Sequence, residues 1–323
     1  MKFPIADQSI LVTGGAGFVG SHLVDALAPH NDVRVLDNFS SGSREHLPAG
    51  VTVVEGDLRD PLAIQRGARG VDLIYHQGAV VSVTESVAAP RRTNAINLGA
   101  TLDVLEQARI EDARVVLASS AAVYGDPESV PIPESATGDP PSPYGIQKLT
   151  GDAYARRYHD LYGLDTVCLR YFNIYGPRQQ GPYSGVISTF LEQARAGEPI
   201  TVEGDGEQTR DFVHVADVVR ANLRAGVTET TGSAFNVGTG RETSIRSLAE
   251  RIRRIVGRNV PIVHTDPRPG DIRHSCAETS RARTEIGFES AVDLERGLET
   301  LVEPATGDVI DAMIGEQVVE DEG

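Results

Sequence analysis

The feature that most constrains this chain is a rhythm of short apolar runs parted by helix-like stretches, with a glycine-rich turn after the first run. SILVTGG (9–15) reads as a buried strand, and a helix follows over 17–28. VRVLD (33–37) and VTVVEGD (51–57) are further strands, LAIQRGA (62–68) is a short helix, and DLIYHQGA (72–79) is a fourth strand. A helix over 94–109 leads into RVVLASS (114–120), and a long helix over 144–162 leads into DTVCLRYFN (165–173). Strands separated by helices at this spacing predict an α/β fold: a doubly wound parallel sheet of Rossmann type, covered on both faces.

After residue 173 the rhythm changes. IYGPRQQGPYSG (174–185) is a loop, followed by a helix over 186–197 and a strand, PITVEG (199–204). Residues 211–226 again read as strand then helix, 243–257 as an amphipathic helix, and 260–271 as strand and loop. The expected organisation is one part over 1–173, to which 211–237 returns, and a smaller mixed α/β part over 174–210 and 238–323, with a loosely held acidic tail from about 304.

The 323 residues and 40% hydrophobic content are enough for a sizeable core. No apolar run reaches the ~18 residues of a membrane span, and the N-terminus lacks the pattern of a signal peptide. Cys168 and Cys276 form neither a disulfide framework nor a ligand cluster, so the expectation is a reduced cytoplasm and no metal. A net charge of −16 argues against nucleic-acid and anionic-membrane partners, which need basic patches. Lys2 and Lys148 are the only lysines beside 28 arginines. An acidic chain almost without lysine fits a salt-rich (halophilic) cytoplasm; a GC-rich genome favouring arginine codons gives the same composition.

TGGAGFVG (13–20) follows the first strand and opens a helix, with Gly14, Gly17 and Gly20 three apart. Glycine there permits a tight turn and close approach of backbone to a pyrophosphate, while the helix N-terminus, at Phe18 and Val19, offers N–H groups to its charge. Asp37 ends the second strand, 23 residues past Gly14, where a carboxylate accepts from both ribose hydroxyls of NAD and repels a 2′-phosphate. Arg44 nearby is the one feature that would favour NADP. Asp57, with Leu58, is placed to meet an adenine ring, and is equally a helix cap before Pro61. Gly78 and Ala79 are small residues where a cofactor would lie against the sheet.

Tyr144 and Lys148 in SPYGIQK (142–148) are four apart and share a helix face. A cation at roughly 4 Å, with an effective dielectric near 20, favours phenolate by about 4 kcal/mol, or roughly three pKa units. Lys148 together with a positive nicotinamide ring would thus make Tyr144 a base near neutrality. Ser120, at the C-terminal end of the fifth strand, is placed to bond a reacting sugar oxygen.

TGGAGFVG, Asp37, Ser120 and Tyr144-x-x-x-Lys148 resemble the extended short-chain dehydrogenase/reductase superfamily. RYFNIYGPR (170–178), GDGEQTRDFVHVADV (204–218) and RPGDIR (268–273) extend the resemblance to the NAD-dependent nucleotide-sugar epimerases, and most closely to the UDP-hexose 4-epimerases. The resemblance implies an isomerase acting on a UDP-sugar: transient oxidation at C4 by resident NAD, rotation of the 4-keto sugar, and hydride return. It implies Ser120, Tyr144 and Lys148 as catalytic residues. It adds Asn38, Ser41, Asn97, Tyr171 and Phe172 to the cofactor set. It implies substrate contacts from Ser82, Ser120, Asn173, Val186, Thr201, Val202, Arg210, Arg268, Asp271 and Ser275. Ser275, being small, leaves room for N-acetylated sugars. Relatives that dehydrate or decarboxylate carry an acid just after the strand-five serine, whereas this chain has Ala121 and Ala122. An epimerase of another nucleotide sugar such as UDP-glucuronate, a dehydratase and a non-catalytic NAD-binding regulator are the alternatives. A homodimer through the helices near 94–109 and 144–162 would follow the family.

Overall fold

The computed structural model describes residues 5–180, 184–268 and 270–302. The acidic tail expected from about 304 lies outside the described residues. In chain order the elements begin β1 (Ser9–Thr13), α1 (Phe18–Leu27), β2 (Asp32–Asp37), β3 (Thr52–Glu55), α2 (Pro61–Ala68) and β4 (Leu73–His76). Then come α3 (Val83–Ala88), α4 (Pro90–Asn94), α5 (Ala100–Glu111), β5 (Arg114–Ser120), α6 (Pro143–Tyr162), β6 (Thr166–Tyr171) and β7 (Asn173–Tyr175). The later part holds α7 (Val186–Ala196), β8 (Ile200–Glu203), β9 (Thr209–Arg210), β10 (Phe212–His214), α8 (Val215–Val227) and β11 (Ser233–Val237). It continues with β12 (Thr243–Ser244), α9 (Ile245–Val256), β13 (Ile262–Thr265), α10 (Ser280–Ile286) and α11 (Leu294–Val302).

Among the described residues the main sheet has seven strands in the order β11-β6-β5-β4-β1-β2-β3, every pair parallel. The apolar runs are continuous because both faces are covered. On one face Ile10 and Val12 of β1 pack with Leu23, Val24 and Leu27 of α1 and with Val218 and Val219 of α8. On the other, Leu11 and Leu36 meet Ile64 of α2, Val104 and Leu105 of α5, and Ala155 of α6. Each fully buried aliphatic side chain contributes roughly 1.5–3 kcal/mol relative to exposure. A separate cluster joins α7, β8 and α9 through Phe190, Val202 and Leu248.

Three departures from the sequence reading have local causes. The helix expected over 94–109 is preceded by α3 and α4 and by a π-helical stretch over Ala95–Gly99. Ser82 caps α3 by accepting from Glu85 N–H, and Pro90 opens α4 after Ala89 leaves helical geometry. The strand expected over 165–173 splits at Phe172. β6 stays in the main sheet, whereas β7 leaves it to pair with β10. The segments α10 and α11 carry no periodicity that the sequence reading takes up. Ala282, Ile286, Phe288 and Val292 join the core of the main sheet, so 280–292 is not confined to the smaller part.

Candidate active site

The C-terminal ends of β1, β2, β4, β5 and β6 open onto a cleft of 1040 Å³. Gly14, Gly17, Phe18, Val19 and Gly20 line one wall, with Asp37, Asn38 and Ser41 beyond them. The turn requires its glycines. Gly14 has φ +65°, and a Cβ there would lie 2.6 Å from Gly78 Cα; a Cβ on Gly20 would collide with the Gly14 carbonyl. Asp37 is buried, with one oxygen accepting from Ala16 N–H (2.9 Å) and the other from Phe39 N–H (2.8 Å), so its carboxylate is fixed at the cleft edge. Arg44, the cation that would favour a 2′-phosphate, is paired with Glu55 and stacked over the Phe39 ring at 4.2 Å. A backbone cradle that side chains would fill, the N-terminus of α1 and a fixed carboxylate at the end of β2 together fit an NAD molecule.

Asp57 and Leu58 line the cleft too, but the Asp57 carboxylate is engaged. Arg59 donates to both its oxygens (2.9 and 2.8 Å) and Asn38 donates at 3.1 Å, which together hold its pKa well below the usual carboxylate range despite partial burial. Gly78, Ala79, Tyr171, Phe172 and Asn173 complete the expected lining. Tyr171 is hydrogen-bonded to Gln77 and Asn222, and burial pushes its pKa up to about 12.

Ser120, Tyr144 and Lys148 stand together at the centre of the cleft. Ser142 caps α6 by accepting from Gly145 N–H (3.2 Å) with Pro143 in its first turn, which sets Tyr144 at the helix start. The Tyr144 N–H donates to Ser86 Oγ (3.1 Å), and Ser86 in turn donates to the Val83 carbonyl (2.7 Å). Lys148 donates to the Ala118 carbonyl (2.7 Å) at the end of β5. Burial lowers the Lys148 pKa to about 8.

The electrostatics differ from the expectation. Burial raises the Tyr144 pKa, and the influence that lowers it is a hydrogen bond with Ser120 rather than Lys148. The Lys148 ammonium spends one N–H on the Ala118 carbonyl.

Other expected residues lie off the cleft. Asn97 is buried behind its wall, accepting from Val80 N–H (2.8 Å) and donating to Val80 C=O (2.9 Å) and Gln147 (2.8 Å). It shapes the cofactor wall without facing it. Ser82 spends its hydroxyl on the α3 cap. Val186 opens α7; Thr201 accepts from Gln193, and Val202 is fully buried. Arg210 is paired with Asp271, Arg268 with Glu203, and Ser275 is buried. The cleft also takes in residues the sequence reading missed: Gln77, Val81, Glu85, Arg92, Ile96, and the loop residues Arg178, Gln179 and Gln180. Glu85 and Arg92 form an ion pair. Among the described residues there is no group of three acids, histidines or cysteines able to hold a metal.

The parallel sheet and the cleft at its C-terminal edge suit a dinucleotide-dependent enzyme, and comparison with known proteins gives the family. The model of the NAD dependent epimerase/dehydratase family matches residues 10–238, and the chain belongs to that family. It is 39% identical over 309 residues to a UDP-glucose 4-epimerase of Mycolicibacterium smegmatis, covering 91% of this chain and 97% of the relative. Its structure is similar to that of a UDP-glucose 4-epimerase of Thermotoga maritima solved with UDP-glucose (TM-score 0.88, 39% identity, 91% of this chain and 97% of that one). It is also similar to a UDP-N-acetylglucosamine 4-epimerase of Methanobrevibacter ruminantium in complex with UDP-N-acetylmuramic acid (TM-score 0.88, 36% identity, 93% of this chain and all of that one).

Proposed function

We propose that this chain is an NAD-dependent 4-epimerase of a UDP-hexose, UDP-glucose and UDP-galactose foremost. One observation carries the reading: Tyr144, Ser120 and Lys148 share a cleft with the glycine turn and Asp37, and the positions after Ser120 are Ala121 and Ala122. NAD bound there supplies the hydride acceptor and donor, and its positive ring adds to Lys148 in favouring phenolate. Tyr144 takes the proton of the sugar 4-OH and later returns one. Ser120 steadies the sugar oxygen. Lys148, anchored on Ala118, holds positive charge beside the reacting hydroxyls. An elimination would need a free acid near C5 and C6. The cleft carboxylate Glu85 is tied to Arg92, which disfavours a dehydratase.

We take 1–173 with 211–237 as the part that holds NAD, and 174–210 with 238–302 as the part that holds the nucleotide. There Asn173, Val186 and Thr201 would meet the uridylyl end, while Val202 stays in the core beneath them. Arg210 and Arg268 would exchange their carboxylate partners for the diphosphate, and Asp271 would be released to a ribose hydroxyl. The small Ser275 supports acceptance of N-acetylated sugars. The test is an assay with UDP-galactose and no added NAD, followed by UDP-N-acetylgalactosamine. Formation of UDP-glucose without added cofactor is expected. A 4-keto-6-deoxy product would replace the reading with a dehydratase, and turnover of UDP-galactose alone would remove the N-acetyl extension.

Supporting a homodimer, the outer faces of α5 and α6 expose Ile110 (66%), Ile146 (53%), Leu161 (70%) and Tyr162 (55%). Exposed apolar side chains on two neighbouring helices leave room for a partner surface. Two buried free thiols, Cys168 and Cys276, are in keeping with a cytoplasmic site. Acids outnumber lysine and arginine 46 to 30, so self-repulsion should fall as salt is added. The Debye length shrinks from ≈ 10 Å at 0.1 M to 3 Å at 1 M. In a KCl series over that range the melting temperature should rise and sedimentation should show a dimer. A flat or falling melting temperature would remove the salt-rich solvent from the account, and a monomer throughout would remove the dimer.

A further inference from the structure

We propose that Asp25, Arg178, His22 and the Pro177 carbonyl form a strap that fastens residues 176–180 to α1 and so retains the dinucleotide. The proposal rests on the reading above, in which NAD stays bound through turnover because the reaction has no net redox change. A cofactor that must never leave needs a wall that opens slowly, and the glycine turn with the start of α1 forms only one side of the cleft. Arg178, Gln179 and Gln180, which follow β7, line the same cleft.

Two contacts tie that loop to α1. Arg178 pairs with Asp25 at 2.7 Å, with both side chains about three-quarters covered. His22 Nε2 lies 3.0 Å from the Pro177 carbonyl. Burial lowers the His22 pKa to about 4, so near neutral pH the ring is uncharged and donates its one N–H to that carbonyl. His22 is also in edge contact with Phe18, itself a cleft residue, at 6.2 Å between centroids. The strap is therefore fastened directly behind the surface on which the cofactor phosphates would rest.

The loop is held in a conformation it would not keep unaided. Arg178 has φ +67°, a region that a long L side chain enters at a cost. Gly176 has φ +154°, and a Cβ there would lie 2.5 Å from Val215. Gln179 donates to the Ile174 carbonyl (3.2 Å), closing the turn on itself. Freed from Asp25 and His22, the loop is expected to relax away from α1 and open the cleft. None of the strap contacts reaches the hydroxyls of Tyr144 or Ser120, so these are positioning residues for the cofactor.

The test uses holoenzyme purified with its NAD and placed in excess deuterium-labelled NAD, with the exchange followed by mass spectrometry of the extracted nucleotide. Asp25→Asn, Arg178→Gln and, independently, His22→Phe should each exchange about tenfold faster than the parent, equivalent to about 1.4 kcal/mol. The charge-swapped pair Asp25→Arg with Arg178→Asp should return towards the parent rate, which general loosening of the fold would not produce. Melting temperatures are recorded alongside to separate retention from stability. Parent-like exchange in the single variants, or a swap as fast as either single change, overturns the strap and leaves the epimerase reading intact. A parent protein that carries no dinucleotide and takes none up overturns both.

Discussion

Replacing Tyr144 with phenylalanine should lower epimerisation turnover by about 10²–10⁴-fold, the range general acid–base groups contribute, while NAD content stays at the parent level. The ring is 8% exposed and its packing is unchanged by loss of one oxygen. Its backbone N–H still donates to Ser86, and Ser142 still caps α6, so the helix that carries Lys148 keeps its start. What goes is the one cleft hydroxyl to which the proposed mechanism gives the sugar proton, to be taken and returned. The measurement is kcat with UDP-galactose, read beside extracted NAD and the melting temperature. More than a tenth of parent turnover would remove Tyr144 from its role. Loss of NAD along with activity would show instead that the hydroxyl holds the cofactor.

Much of this site is legible in the sequence because its parts are local. Gly14, Gly17 and Gly20 declare a turn through their spacing, Asp37 lies at the end of the next apolar run, and Tyr144 and Lys148 share a helix face whatever the tertiary fold. The rest depends on chain segments that meet only on folding. Glu85 and Arg92 enter the cleft from α3 and α4, which Pro90 and a short, mixed pattern hide from any periodicity argument. Asn97 sits in a π-helical stretch, so a helical count from its neighbours misplaces its side chain. Arg178 gives no local sign that it faces Asp25 on α1. Electrostatics are the least legible of all. A helix wheel puts Lys148 beside Tyr144, but only the fold shows its ammonium bound to the Ala118 carbonyl and the phenol governed by burial and Ser120. The same limit applies to α10, whose apolar residues find their purpose against β11 at the edge of the main sheet.

Asp152→Ala should cost about 3–5 kcal/mol of stability, the usual result of stripping one partner from a buried ion pair. Asp152 lies one turn beyond Lys148 on the same face of α6 and is fully buried. It accepts from Arg170 at 2.9 and 3.2 Å, from Arg156 at 2.8 Å and from Ser119 at 3.3 Å. Arg170 is itself only 5% exposed, and its other donors go to Tyr124 (3.0 Å) and the Glu134 carbonyl (2.9 Å). Those contacts cannot neutralise a guanidinium, and water has little access to it. A chain of 323 residues shifts less than the roughly 2–4 °C per kcal/mol of 150–250 residues, so the melting temperature should fall by on the order of 5 °C. Asp152→Asn, which keeps an acceptor for Ser119 and Arg170, should fall less. Asp152→Leu combined with Arg170→Met removes both charges together and should recover much of the single-mutant loss, as apolar replacement of buried pairs often does. Turnover separates the roles: Ser119 precedes Ser120 on β5, so loosening Asp152 should lower kcat through the serine pair even at temperatures where the variant is folded. A shift in melting temperature equivalent to less than about 1 kcal/mol would place Asp152 among ordinary surface pairs, and an intact kcat would separate the network from the site it underlies.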